Sequence, residues 1–176
     1  MQLNGKSIET NSKITTKYLT RAAIIAAIYV VLTYLAGILN LAYGPVQFRF
    51  SEALTVLPFL FPEAVPGLFV GCIVSNILSP YGVLDLVVGS AATLLAAIWT
   101  NKCRNRFVAP LPPVVCNAVL VGAMIAWYEA GFGAGFLAAF VYNAATVGLG
   151  EAIVCYALGL PLLKVLENRG VMKDAA

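Results

Sequence analysis

The residues best placed to do chemistry lie together in Tyr43-Gly-Pro-Val-Gln-Phe-Arg-Phe-Ser-Glu52, a polar, turn-forming segment between two strongly apolar runs. Gly44 and Pro45 break any helix before them, since glycine reaches positive φ freely and proline lacks the N–H that a helix interior needs. Gln47, Arg49, Ser51 and Glu52 alternate with Val46, Phe48 and Phe50, so hydrogen-bonding groups and aromatic faces share one short segment. Such a mixture suits a flat polar ligand. The apolar run Leu54-Thr-Val-Leu-Pro-Phe-Leu-Phe61 follows directly and puts Glu52 at the edge of a region that excludes water. The plainer alternative is an Arg49–Glu52 pair at a helix start, with Ser51 as its cap.

A second carboxylate stands out further along. Glu151 sits inside Val147-Gly-Leu-Gly-Glu-Ala-Ile-Val-Cys-Tyr156, with no basic residue within ten positions on either side. A carboxylate in such surroundings must face the bundle interior, a cavity or a partner, or else serve as a protonated structural group. Asp85 follows the turn Ser79-Pro-Tyr-Gly-Val-Leu84 and either caps the next helix or meets a ligand. Asn76, Trp127, Tyr142 and Asn143 fall in the same half of the chain's helices, the aromatic ones equally suited to an interfacial belt. Acidic, amide and aromatic groups thus converge on one side, the composition of a pocket for a planar, hydrogen-bond-rich small molecule.

The elements that position these residues follow from composition. Hydrophobic residues make up 61% of the 176 and charged ones 11%, against about a quarter charged in soluble domains. The sequence therefore predicts an all-α integral membrane protein. Residues 1–17 are polar and lysine-bearing, without a signal-peptide core, and are expected to form a cytoplasmic tail. The membrane domain is expected over 18–168 and a second cytoplasmic tail over 169–176. Within it, apolar runs and the Pro62-Glu-Ala-Val-Pro66 interruption predict six helices, at 22–41, 52–61, 66–78, 84–100, 113–127 and 137–163.

Charge placement favours six spans over five. Lys6, Lys13, Lys17, Arg21, Lys102, Arg104, Arg106, Lys164, Arg169 and Lys173 then fall on the side of both termini, and Arg49 alone falls opposite. Basic residues concentrate in short cytoplasmic loops, so both termini are expected inside. Ala22 and Ala26, with Ala23 and Ala27, form a small-residue strip on the first helix. Such spacing lets another helix approach closely, whether from a partner or from the same bundle.

Several functions are disfavoured. There is no histidine, and Cys72, Cys103, Cys116 and Cys155 form no CxxC pair, so neither a metal site nor a disulfide framework is expected. The phosphate-binding GxxxxGK[ST] loop and the HExxH helix are missing too, so ATP hydrolysis must be done elsewhere. No cofactor is expected.

From about Thr16 to Gly170 the chain resembles the substrate-binding S components of energy-coupling-factor (ECF) vitamin transporters, and among them queuosine precursor transporters of the QueT type. The resemblance is carried by Gly44-Pro-Val-Gln-Phe-Arg-Phe-Ser-Glu-Ala-Leu-Thr-Val-Leu-Pro58, by Gly71 to Asn76, by Asp85 with Gly89 and the Ala-Ala-Thr-Leu-Leu95 run, and by Gly150-Glu151. It implies a six-helix S component of the bacterial cytoplasmic membrane that captures a 7-deazaguanine from outside. Its partners would be a transmembrane coupling protein, docked on Ala22, Ala23, Ala26 and Ala27, and two ATP-binding cassette ATPases.

A deazaguanine offers N1–H and an exocyclic amine side by side, which one carboxylate accepts in a bidentate manner. Glu52 is the first candidate for that contact and Glu151 the second, the other pairing with an aminomethyl cation if the ligand has one. Gln47, Asn76 or Asn143 would read O6 or the pyrrole edge, and Tyr43, Trp127 or Tyr142 would stack on the ring. Arg49 and Asp85 complete the expected site. Competing readings are an S component for riboflavin or thiamine, a membrane enzyme using Glu52, Asp85 and Glu151, and a structural subunit without ligand.

Overall fold

A computed structural model describes residues 15–41 and 48–169. Tyr43, Gln47 and the Gly44-Pro45 break lie outside the described residues, as do the first fourteen residues and the last seven. Every element among the described residues is helical. In chain order they are α1 (Thr16–Ile38), α2 (Phe50–Phe59), α3 (Ala64–Asn76), α4 (Asp85–Asn101), α5 (Leu111–Ala130) and α6 (Phe136–Asn168). Each of the six predicted runs overlaps one of them. α1 starts earlier and ends earlier than expected, and α6 runs beyond the predicted 163. Of the six, α1, α5 and α6 are long and apolar enough to cross a membrane.

The main departure from expectation is α2. It is wound as a 3-10 helix, and Ser51 through Pro58 are all buried. At about 2 Å rise per residue its ten residues cover roughly 20 Å, less than the hydrocarbon thickness of about 30 Å. It is therefore a core element rather than a lipid-facing one, and it touches each of the other five helices. Its end is tied by Asn101, whose Nδ2 donates to the Pro58 carbonyl at 2.7 Å. Thr55 turns its hydroxyl back on the Glu52 carbonyl at 2.6 Å.

α1 crosses α3 at very short range. A Cβ placed on Gly67 would stand 2.6 Å from the Ala22 carbonyl oxygen, and one on Gly71 3.0 Å from that of Ala26. Only glycine lets these backbones approach, and close packing is what holds helices together in lipid. The small-residue strip is thereby divided: Ala22 and Ala26 meet α3, whereas Ala23 and Ala27 are exposed. α5 meets α6 in a similar way at Gly122 and Ala144.

Three helices contain a π turn: Asp85–Gly89 in α4, Asn117–Val121 in α5 and Cys155–Gly159 in α6. A π turn adds a residue and opens the backbone ladder. At the first of them the freed Asp85 carbonyl accepts a hydrogen bond from Asn76 Nδ2 at 2.9 Å. The apolar core falls into two main groups. One joins Tyr29, Leu54, Leu57, Phe61, Leu68 and Cys72, and the other Ala92, Val121, Met124, Ile125 and Val147. The polar residues described next bridge them.

Candidate functional site

The entry to α2 lies where the two apolar groups meet. Tyr29 is fully buried on α1 and donates its hydroxyl to Glu52 Oε1 at 2.5 Å. One turn further along α1, Thr33 donates to Ser51 Oγ at 2.8 Å, so Ser51 is engaged sideways and does not cap α2. Arg49 Nη2 donates to Asn76 Oδ1 at 2.8 Å, while its Nε stands 3.9 Å from Glu52 Oε1. The expected Arg49–Glu52 pair thus exists, but as a loose one whose better hydrogen bonds go to α1 and α3. Asn76 spends both ends of its amide, holding α4 with the nitrogen and Arg49 with the oxygen.

These groups wall a small cavity. The α2 entry contributes Arg49 and Glu52, α4 contributes Gly89 and Thr93, α5 Asn117 and Val121, and α6 Val147 and Glu151. Its free volume is about 10 Å³, room for about one water. Glu52 Oε2 and Arg49 Nε are buried and without a hydrogen-bond partner. Unpaired buried polar atoms are costly, so a cavity bounded by two of them is poised to receive complementary groups. Cys155 ties the two acidic helices together, its Sγ 3.4 Å from the Glu52 carbonyl and 3.6 Å from Glu151 Oε1. Cys72 does the same between α3 and α4, accepting from Thr93 at 3.3 Å.

Gly89 explains the close approach of α4. A side chain there would run into Asp85 Oδ1 and Asn76 Nδ2. Asp85 is itself buried, with Oδ1 unpaired, and makes no capping bond among the described residues. It lies behind Gly89 and outside the cavity wall.

The remaining predicted site residues are placed elsewhere. Asn143 donates to Glu129 Oε2 at 2.8 Å and to the Ala139 carbonyl at 3.0 Å, fastening α6 to the end of α5. Trp127 and Tyr142 are 41% and 59% exposed and do not line the cavity. Trp127 instead begins a partly exposed aromatic file through Phe132, Phe136 and Phe140. Nearby, Tyr81 meets Tyr128 edge to face at 5.4 Å. Burial, then the carboxylates of Glu129 and Asp85, push the Tyr81 hydroxyl up from its ordinary range. Tyr43 and Gln47 lie outside the described residues.

Tyr29, Thr33, Thr93, Asn117 and Cys155 were not anticipated. For Tyr29, Thr33 and Cys155 the signal in the sequence is the pairing of polar residues four apart in apolar helices: Tyr29 with Thr33 and Glu151 with Cys155, as Cys72 with Asn76. Four residues is one helical turn, so each pair marks a single inward face. Among the described residues no group of three or more Cys, Asp or Glu is arranged to hold a metal.

The sequence model of a family described as QueT transporter matches residues 19–168. A curated protein of Lactococcus lactis subsp. cremoris (strain MG1363), named queuosine precursor transporter QueT, is 41% identical over 73 residues. That match covers 42% of this chain and 43% of the relative, so less than half of either is compared. No solved structure matches.

Proposed function

The chain belongs to the QueT transporter family, a multi-pass protein of the cytoplasmic membrane that takes a small-molecule substrate, and from that premise we propose that it is the substrate-capturing S component of an ECF-type importer, binding a 7-deazaguanine in the Glu52–Glu151 cavity. In this reading residues 18–168 form one six-span membrane domain with both tails, 1–17 and 169–176, cytoplasmic. A coupling membrane protein and two ABC ATPases supply the energy. The exposed Ala23 and Ala27 are the part of the alanine strip left for the coupling protein, with Ala22 and Ala26 behind them against α3.

The observation that carries the proposal is the cavity's donor and acceptor set. Glu52 offers an unpaired buried oxygen, held in place by Tyr29 and steadied by Arg49. That is what an N–H edge of a guanine-like base requires. Asn117, on the wall, carries both a donor and an acceptor for O6 or the pyrrole N–H. Asn76 acts one step back, orienting Arg49, and Asp85 balances the guanidinium from behind Gly89.

A bicyclic base is several times larger than the water that now fits, so binding displaces part of the wall. The elements able to give are those with the poorest backbone bonding, the 3-10 turns of α2 and the π turns facing the cavity. The test is calorimetric titration of the detergent-purified chain with 7-deazaguanines, guanine, riboflavin and thiamine. Selective binding of a 7-deazaguanine, weakened about tenfold or more by Glu52→Gln as for loss of a charged acceptor, is the expected result. Preference for riboflavin or thiamine would refute the substrate class.

A further inference from the structure

We propose that Glu52 and Glu151 share a single proton in the ligand-free protein, forming a carboxylic acid–carboxylate latch that holds α2 against α6 across the cavity. The latch belongs to the empty site and stands apart from the binding role proposed above, whatever the cavity takes.

Glu52 lies in the first turn of α2 and Glu151 within α6, yet both line one small cavity and their carboxyl groups meet directly. Cys155, one turn beyond Glu151, shows how near the two helices come. Its Sγ lies 3.6 Å from Glu151 Oε1 and 3.4 Å from the Glu52 carbonyl. An ionised carboxylate only accepts hydrogen bonds, so two of them in contact repel. Such a pair is stable when one member carries a proton and donates it to the other.

The hydrogen bonds around the pair lack that same proton. Glu52 Oε1 accepts from Tyr29, whereas Oε2 is buried with no donor. Glu151 belongs to none of the ion pairs among the described residues. Besides Glu52 its polar contacts are Asn117 and the Cys155 thiol. A hydroxyl on Glu151 supplies the donor that Glu52 is missing, and a hydrogen bond of this charge-assisted kind is roughly twice as strong as a neutral one.

The surrounding charges favour one proton over none. The titratable and charged groups that face the pair are Tyr29 on α1, Arg49 before α2, Cys72 on α3, Asp85 on α4, Cys116 on α5 and Cys155 on α6. Among them Arg49 is the one cation, 3.9 Å from Glu52, and Asp85 draws on it as well. Glu52, Glu151 and Asp85 together leave that guanidinium outnumbered inside an apolar bundle, where uncompensated charge is costly. One shared proton removes a unit of the excess. A donor that took the place of the Glu151 hydroxyl at Glu52 would open the latch and free α2 from α6.

The experiment uses the full-length, detergent-purified protein without ligand. Infrared spectra in H2O and D2O at neutral pH are expected to show an exchange-sensitive band from a protonated carboxyl group. That band should be lost in both Glu52→Gln and Glu151→Gln, because an amide donates to the remaining carboxylate from its own NH2. Thermal unfolding gives a second reading. The folded chain holds a proton that the unfolded chain, with ordinary glutamates, has released at neutral pH. Wild type should therefore lose stability relative to Glu151→Gln as the pH is raised from about 6 to about 9, the range in which buried carboxyl groups give up their protons. A band that persists unchanged in either variant, or a stability difference that stays constant with pH, overturns the shared proton. Should the amide variants fail to fold, wild-type protein decides alone: absence of the band at neutral pH overturns the proposal, and its disappearance over the pH range in which the unfolding temperature falls is the result expected. The binding role is tested separately, by titration with ligand.

Discussion

Tyr29→Phe removes one oxygen atom from the molecule and tests how Glu52 is held. The Tyr29 hydroxyl is fully buried and donates to Glu52 Oε1 at 2.5 Å. The ring itself packs with Leu54, Leu57 and Leu68, and phenylalanine keeps that packing. A hydrogen bond to a charged group contributes about 1.5–3 kcal/mol in soluble proteins. Between membrane helices the measured average is nearer 0.6 kcal/mol, with a maximum of about 1.7. A loss of roughly 1 kcal/mol in stability is therefore expected, read as a modest fall in detergent unfolding temperature.

The effect on ligand should be larger than that on stability, because Glu52 loses the donor that fixes its carboxylate. Removal of about 1–2 kcal/mol from binding corresponds to roughly 5- to 30-fold in Kd. Calorimetry on both proteins measures it. Unchanged affinity alongside a lowered unfolding temperature would refute the reasoning, since Tyr29 would then serve packing alone.

Other substitutions separate the bundle from its surfaces. Gly67→Ala drives a methyl to 2.6 Å from the Ala22 carbonyl and should cost about 1–3 kcal/mol as overpacking, seen as a lower unfolding temperature. Ala23→Leu, on the exposed row of α1, should change stability by no more than the roughly 0.5 kcal/mol usual for surface changes while reducing co-purification with the coupling protein. Trp127→Ala and Tyr142→Phe, both off the cavity wall, should leave the deazaguanine Kd within about twofold, the range of surface substitutions. A larger loss for either would place the ligand at the aromatic end of α5 instead.

Much of this architecture can be read in the sequence. Glu52 and Glu151 are the two carboxylates most at odds with their apolar surroundings, and both line the cavity. Pro62 falls between α2 and α3, as a break in an apolar run should, whereas Pro66 lies within the first turn of α3, where proline is tolerated. Other features depend on packing that no local pattern records. The Ser51 hydroxyl looks like a cap in sequence, but Thr33 reaches it from a helix eighteen residues away. Asn143 looks like a ligand residue until Glu129 is seen to take its amide. Trp127 and Tyr142 could face either way, because an apolar helix in a membrane has no polar side to orient it. The alanine strip likewise fits both a partner and α3, and only the glycines at 67 and 71 decide which row is taken.

The π turn in α6 has a consequence for how this helix can change over generations. An α-helix advances about 100° per residue, so Leu163 would stand about 120° around the axis from Glu151 in an unbroken helix. Both are nevertheless buried, Glu151 on the cavity wall and Leu163 against Val56 and Ala109. The extra residue within Cys155–Gly159 brings the difference down to about 20°. One length of backbone thus acts as two helices in phase with different neighbours. The segment carrying Glu151 can be altered to suit a new ligand without turning the segment that anchors α6 to the core.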